Sequence, residues 1–255
     1  MILIDIGNTN IVFAISSNKL IKRIIRINTN QNNYKLKNSI NTIIINYSAI
    51  TRLDNSKVAI ICSVVPSLNS LTTNILKKNY IKGVFIKSKD VMSFLKIKYN
   101  NREIGADRLA NSIAIIKNKI INSIVVDFGT ATTFDVIKNN IFLGGVIFPG
   151  INLSKTTLIN EASLLKNTKV IKTKKIVANN TKQSIQSGFY WGYLLAINGL
   201  IKKISKENKF KPKIILTGGL ANIFKNDINP KPIVRPNLTL EGLQIIGSIY
   251  YAKKK

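Results

Sequence analysis

Residues Ile124–Ile137 read IVVDFGTATTFDVI. Three apolar β-formers run into Asp127, then Gly129, then hydroxyls at Thr130, Thr132 and Thr133, and a second β-like run, Phe134–Ile137, follows at once. The pattern predicts two antiparallel strands joined by a tight polar turn. Such a turn can aim backbone N–H groups and hydroxyls at an anion, while an aspartate at the strand end can hold a cation. The chain opens on the same design. Ile2–Ile15, ILIDIGNTNIVFAI, matches Asp5 with Asp127, Gly7 with Gly129, Asn8 with Thr130 and Asn10 with Thr132, all 122 residues apart. That offset is close to half of the 255 residues. The repeat predicts a duplicated fold with one Asp-x-Gly hairpin per half, closing around a phosphate between the halves.

A chain of 255 residues can bury one large core or two smaller ones. Its 45% hydrophobic and 20% charged content is that of an ordinary globular protein. No apolar run approaches the roughly 20 residues needed to span a bilayer, and the chain enters a strand directly, so neither a membrane span nor a signal peptide is expected. The lone Cys62 excludes an internal disulfide and fits a reducing cytoplasm.

The formal charge of +28 fits non-specific attraction to nucleic acid. Yet only six of the 39 basic residues are Arg, and the abundance of Lys, Asn and Ile is that of A/T-rich codons. No segment interleaves Arg and aromatic residues as a nucleic-acid reader would. The lysines read as a solvated coat, and no specific nucleic acid is expected as a partner. The acids say more because they are scarce. Of eleven, four (Asp5, Glu103, Asp107 and Asp127) fall in three short Gly-containing segments. With no histidine in the chain, proton transfer must fall to a carboxylate, Lys, Tyr or Cys.

Periodicity predicts a third strand over Leu20–Ile27 and a helix over Asn33–Tyr47. It predicts a strand over Val58–Val65, a helix from Pro66 to about Lys78 and a strand over Gly83–Ile86; Val91–Lys98 is ambiguous. In Tyr99–Leu109, YNNREIGADRL, Gly105 ends a loop and Ala106–Lys117 reads as a helix, so Asp107 and Arg108 occupy its first turn. A carboxylate there is stabilised by the helix dipole and is expected to keep a low pKa. Further on come a strand over Ile141–Phe148, a helix over Leu153–Leu165 and a lysine-rich connector over Asn167–Ala178. Thr181–Ser205 reads as a long apolar helix buried on both faces, within a core or a subunit interface. A strand over Lys213–Thr217 delivers Thr217-Gly218-Gly219 into a helix, and a last helix opens near Asn237–Thr239 with either residue as its cap. The domain boundary is expected within Asn118–Ser123, giving domains 1–118 and 119–255. No Walker A loop, Rossmann GxGxxG, or thiolate or imidazole metal site occurs.

Taken together, the motifs resemble the type III pantothenate kinases. They are Asp5-Ile-Gly-Asn-Thr-Asn, Ser63-Val-Val-Pro, Gly105-Ala-Asp-Arg, Asp127-Phe-Gly-Thr-Ala-Thr, Gly144-Gly-Val-Ile-Phe-Pro-Gly, Asn180-Thr181 with Ser187-Gly188, Thr217-Gly-Gly and Leu238-Thr-Leu-Glu-Gly-Leu, in family order. Each motif is weak alone; the ordered set is specific. The resemblance implies an α/β fold of two RNase H-like (actin-like ATPase) domains with mixed five-stranded sheets flanked by helices. It implies ATP-dependent phosphorylation of pantothenate at its primary hydroxyl, the first step toward coenzyme A. It would give the ATP phosphates to Asp5, Ile6, Gly7, Asn8, Thr9, Asn10, Ile11 and Val12, with Asp5 also placing Mg2+ through water and Thr130 contacting ATP. Asp107 would accept the proton. Tyr99, Gly105, Ala106, Asp107, Arg108 and Thr181 would contact pantothenate, and Asp127 would bind a monovalent cation, K+ or NH4+. It also implies a cytoplasmic homodimer, each site bordered by the partner subunit. The Tyr99–Gly105 loop is shorter than the family's and lacks its proline. A second reading, a non-catalytic regulator related to the Bvg accessory factor and binding nucleic acid, is set against the first by the three intact acid motifs.

Overall fold

Chain reversals at Gly7 and Gly129 open two sheets built on one plan. The computed structural model describes residues 1–52, 57–92, 95–100, 102–162 and 168–252. It divides into two units: Met1–Lys119 with Asn237–Lys255, and Ile120–Pro236.

In the first unit, β1 (Ile2–Ile6), β2 (Asn10–Ser17) and β3 (Leu20–Asn28) form an antiparallel meander. Then follow α1 (Asn33–Arg52), β4 (Val58–Ser63), a 3-10 turn at Pro66–Leu68 leading into α2 (Asn69–Lys78), and β5 (Lys82–Phe85). The short α3 (Ser88–Val91) and β6 (Lys96–Ile97) resolve the ambiguous Val91–Lys98 stretch, apart from residues 93 and 94, which lie outside the described set. α4 (Ala106–Lys117) completes this pass of the chain. The sheet order is β3-β2-β1-β4-β5, with β4 parallel to both β1 and β5. Alternation along β1 sends Ile2, Ile4 and Ile6 into a core with Phe13, Leu36, Ile40, Ile44 and Leu76.

The second unit repeats this with β7 (Ser123–Phe128), β8 (Ala131–Lys138), β9 (Ile141–Pro149), α5 (Ile151–Glu161), α6 (Thr181–Glu207), β10 (Lys213–Gly218), α7 (Ala221–Phe224) and β11 (Ile233–Val234). Its strands run β9-β8-β7-β10-β11, the same order as in the first unit, and again the crossover strand is parallel to the hairpin's first strand. The predicted helix over Leu153–Leu165 is observed to Glu161; its last residues, 163–165, lie outside the described set. α6 buries only one face within this unit, so of its two expected settings, core or subunit interface, a core on both sides is excluded. Tyr190, Tyr193, Leu194, Ile197 and Ile201 enter the core, but the face carrying Gly188, Gly192, Leu195 and Gly199 turns outward, with Leu195 65% exposed.

The final helix, α8 (Leu238–Ala252), corrects the predicted division. The chain divides after Lys119, within the expected boundary, but Asn237 onward joins the first unit instead of continuing a C-terminal domain. The physical reason is packing: α8 lies against α4, β1 and β4. Thr239 is not spent as a cap, since its hydroxyl meets Asn111 Oδ1 at 3.0 Å. The crossing is so close that a Cβ on Gly242 would stand 2.0 Å from the Ala110 carbonyl oxygen. Gly242→Ala is therefore expected to destabilise the fold by about 1–3 kcal/mol, read as a lowered denaturation midpoint; an unchanged midpoint would show that the two helices can part freely. Among the described residues, no helix is long and apolar enough to cross a membrane.

Candidate active site

The two acidic hairpins keep their equivalence in three dimensions, with one change of register. In the first, Asp5 pairs with Val12 and Ile6 with Ile11, and the Gly7 N–H donates to the Asn10 carbonyl at 2.9 Å. In the second, Asp127 pairs with Thr133 and Phe128 with Thr132, and the Gly129 N–H donates to the Ala131 carbonyl at 3.1 Å. The second turn is thus one residue shorter. Asn8 still answers to Thr130, but the counterpart of Asn10 is Ala131 rather than Thr132, which occupies the core position of Ile11 and is fully buried. The likeness extends to the crossover strands, which the sequence repeat did not reveal. Val64 N–H donates to Ile6 O at 3.0 Å where β4 ends, and Gly219 N–H donates to Phe128 O at 3.2 Å where β10 ends.

Of the residues expected at ATP, Ile6, Ile11 and Val12 are core side chains; they anchor the first turn, and Asn8 and Thr9 are its exposed tip. A residue missed in the sequence, Thr29, fixes that tip from just past the end of β3: its hydroxyl donates to Gly7 O at 2.7 Å and its N–H to Thr9 O at 2.9 Å. Because a trans peptide sets its N–H against the preceding C=O, the Asn8 N–H points away from Thr29. No sequence signal links residues 22 apart in this way.

The proton acceptor expected at Asp107 sits in the first turn of α4, whose N-cap is Gly105. The Arg108 N–H donates to Asp107 Oδ1 at 2.8 Å. Oδ1 also lies 2.5 Å from the point where a Cβ of Gly105 would stand, with Val64 Cγ1 3.8 Å from that point. Gly105 therefore serves close approach; its φ of −61° would suit any residue. Since Val64 is bonded to the end of β1, the contacts carry the Asp107 turn to the carboxyl ends of β1 and β4, where the Gly7 turn begins. The expectation of a low pKa fails here: burial pushes the Asp107 carboxyl up, against the Arg108 amide and guanidinium that pull it down. The Tyr99 ring centroid lies 5.4 Å from the guanidinium carbon of the buried Arg108.

In the second unit, Asp127 is held by glycines. A Cβ on Gly218 would stand 2.6 Å from Asp127 Oδ1 and equally close to the Phe128 carbonyl oxygen and amide nitrogen, and Gly218 has φ +84°. A carboxylate and a carbonyl oxygen thus face the space a side chain would fill. One negative charge with neutral oxygen donors suits a hard monovalent cation, and among the described residues no group of three acids, cysteines or histidines could hold a divalent ion unaided. Gly150 lies against the same turn, since its Cβ would meet Thr130 O at 2.0 Å, and Thr130 itself is exposed. Thr181 is the first residue of α6, exposed and capped by Asn180, whose side chain accepts from Gln183 N–H at 3.0 Å. The structure thus groups Asp5–Val12, Tyr99 and Gly105–Arg108 in one unit, and carries Asp127, Thr130 and Thr181 on the other.

Paired sheets of this order, each opening on an acidic hairpin turn, define a protein of the actin-like ATPase fold class. A solved structure described as an N-acetylglucosamine kinase from Porphyromonas gingivalis shares the fold (TM-score 0.53, 10% identity, covering 98% of this chain and 99% of that one). So does a Baf family transcriptional activator structure from Campylobacter jejuni (TM-score 0.62, 24% identity, 99% and 100%). The family model for type III pantothenate kinase matches residues 1–203, and the type III pantothenate kinase of Pelagibacter ubique is 40% identical over 242 residues, 94% of this chain and 95% of that protein. The chain belongs to the type III pantothenate kinase family. These matches support the kinase reading and not the regulator; at 24% identity the Campylobacter structure speaks to the fold alone.

Proposed function

We propose that this chain transfers the γ-phosphoryl group of ATP to the primary hydroxyl of pantothenate, giving 4'-phosphopantothenate and ADP at the start of coenzyme A synthesis. The observation that carries this reading is the Asp107 carboxyl, desolvated yet held by a backbone N–H beside the strand ends from which the Gly7 turn emerges. In this mechanism Asp107 orients the hydroxyl and takes its proton as the alcohol oxygen bonds to the γ-phosphorus and the bond to the departing ADP oxygen breaks. The Gly7–Asn10 turn receives the phosphates through the Asn8 N–H and the polar side chains at its tip, with Ile6, Ile11 and Val12 holding it rigid; Thr130 adds a contact to ATP. Tyr99, Gly105, Ala106, Arg108 and Thr181 position pantothenate. Mg2+ bound with the nucleotide would offset phosphate charge, and Asp5 supplies one carboxylate toward it through water, as such ions are commonly held. K+ or NH4+ would fit beside Asp127 and supply positive charge there.

The outward face of α6, with Gly188, Gly192 and Gly199 flanking exposed Leu195, supports a homodimer packed on this helix. Burial of Cys62, the single cysteine of the chain, agrees with a reducing cytoplasm. The test is ADP release from ATP and Mg2+: it is expected to require pantothenate and to rise on adding K+, with the active species sedimenting as a dimer. ADP release indifferent to pantothenate would overturn the assignment, indifference to K+ the cation site, and an active monomer the dimer.

A further inference from the structure

The peptide between Gly7 and Asn8 lies in the gap between two strands, since β1 ends at Ile6 and β2 begins at Asn10. Rotation of that peptide decides whether an oxygen or an N–H faces out of the turn. Gly7, without a side chain, resists the rotation least. We propose that Thr29 is a positioning residue for the nucleotide: its hydroxyl holds the Gly7 carbonyl and thereby turns the Asn8 N–H toward the phosphates of ATP. The inference rests on the kinase reading given above.

Thr29 grips the turn at two points. Its N–H donates to Thr9 O at 2.9 Å, a bond that any residue but proline would keep. Its Oγ1 donates to Gly7 O at 2.7 Å, a bond that only a hydroxyl side chain makes from this place. The Gly7 carbonyl and the Asn8 N–H belong to one trans peptide and point in opposite directions, so holding the first aims the second. Asn8 is exposed, and its N–H gives no hydrogen bond among the described residues. A backbone donor presented in this way at a tight turn suits an anion.

The second hairpin shows what the turn is like without this hydroxyl. Asn10, which accepts from the Gly7 N–H, pairs with Asn28; Ala131, which accepts from the Gly129 N–H, pairs with Pro149. The next residues, Thr29 and Gly150, are therefore equivalent. A Cβ on Gly150 would stand 2.0 Å from Thr130 O and 2.9 Å from Gly129 O, so no side chain fits there to hold a carbonyl. The two copies of one hairpin have diverged at this position. One gained a hydroxyl that commits its turn to presenting a donor, while the other packs bare backbone on its turn.

The test measures kcat/KM for ATP at saturating pantothenate, and KM for pantothenate at saturating ATP, in wild type, Thr29→Val and Thr29→Ser. Valine keeps the shape and the N–H and removes the hydroxyl; serine keeps the hydroxyl. In Thr29→Val, kcat/KM for ATP is expected to fall about 3- to 10-fold, the range for one lost neutral hydrogen bond. KM for pantothenate is expected to stay within about twofold, and Thr29→Ser to stay within about twofold of wild type in both. Should Thr29→Val fail to fold, Thr29→Ala reads the same quantity. Unchanged kcat/KM for ATP, an equal loss for both substrates, or a serine variant as impaired as the valine one overturns the proposal while the kinase reading stands. Wild-type protein that fails to phosphorylate pantothenate overturns the kinase reading and the proposal together.

Discussion

Asp107→Asn is expected to lower kcat by about 100- to 10,000-fold, the range of general-base contributions, while the protein stays folded. The asparagine keeps the shape and the oxygen that accepts the Arg108 N–H, but cannot take a proton at neutral pH. Stability should move the other way from activity. Burial raises the folded-state pKa of Asp107, so the folded protein binds this proton more tightly than the unfolded chain does. The stabilisation from that proton is full below the ordinary carboxylate value and is lost as pH rises through the raised one. At neutral pH the ionised carboxylate is thus a net cost, and the variant should match or exceed the wild-type melting temperature. Activity has the opposite dependence, falling as pH drops through the raised value, because only the ionised form accepts a proton. Wild-type turnover in Asp107→Asn would remove this residue from the base role; a variant that melts well below wild type at neutral pH would refute the burial argument.

Gly218→Ala is expected to destabilise the protein by about 2–4 kcal/mol, combining a left-handed backbone position with overpacking. The new methyl must move the Phe128 backbone at 2.6 Å, which cannot yield without disturbing the pairing of β7 with β10. It must also displace Asp127 Oδ1, so any folded variant should lose its response to K+ as well. Denaturant unfolding and a K+ titration of activity read the two effects separately. A variant with wild-type stability and wild-type K+ activation would show that neither the strain nor the cation cradle exists.

The repeated hairpin was legible in the sequence because two signals coincide in it: runs of apolar β-formers and an Asp-x-Gly turn. Its register was not. Ile11 and Thr132 share a core position, and an apolar residue exchanged for a hydroxyl hides the one-residue difference in turn length. β11, only Ile233–Val234, is too short to carry a period. The acid of α4 was found by its place in a helix first turn, yet the same rule misjudged its pKa because burial, a property of the folded surroundings, outweighs the helix end. Thr29 and Gly218 gain their meaning from partners far away in sequence, Gly7 and Asp127.

The return of α8 to the first unit bears on how this chain is born. Everything from Ile120 to Pro236 leaves the ribosome before the helix that must cover the Ala110 backbone exists. The second unit can mature during translation while α4 waits, which reverses the usual order in which an amino-terminal domain is finished first. Through that interval the nascent protein presents a half-dressed α4, the surface a chaperone would be drawn to, and the Asp107 turn acquires its final support only when Gly242 arrives.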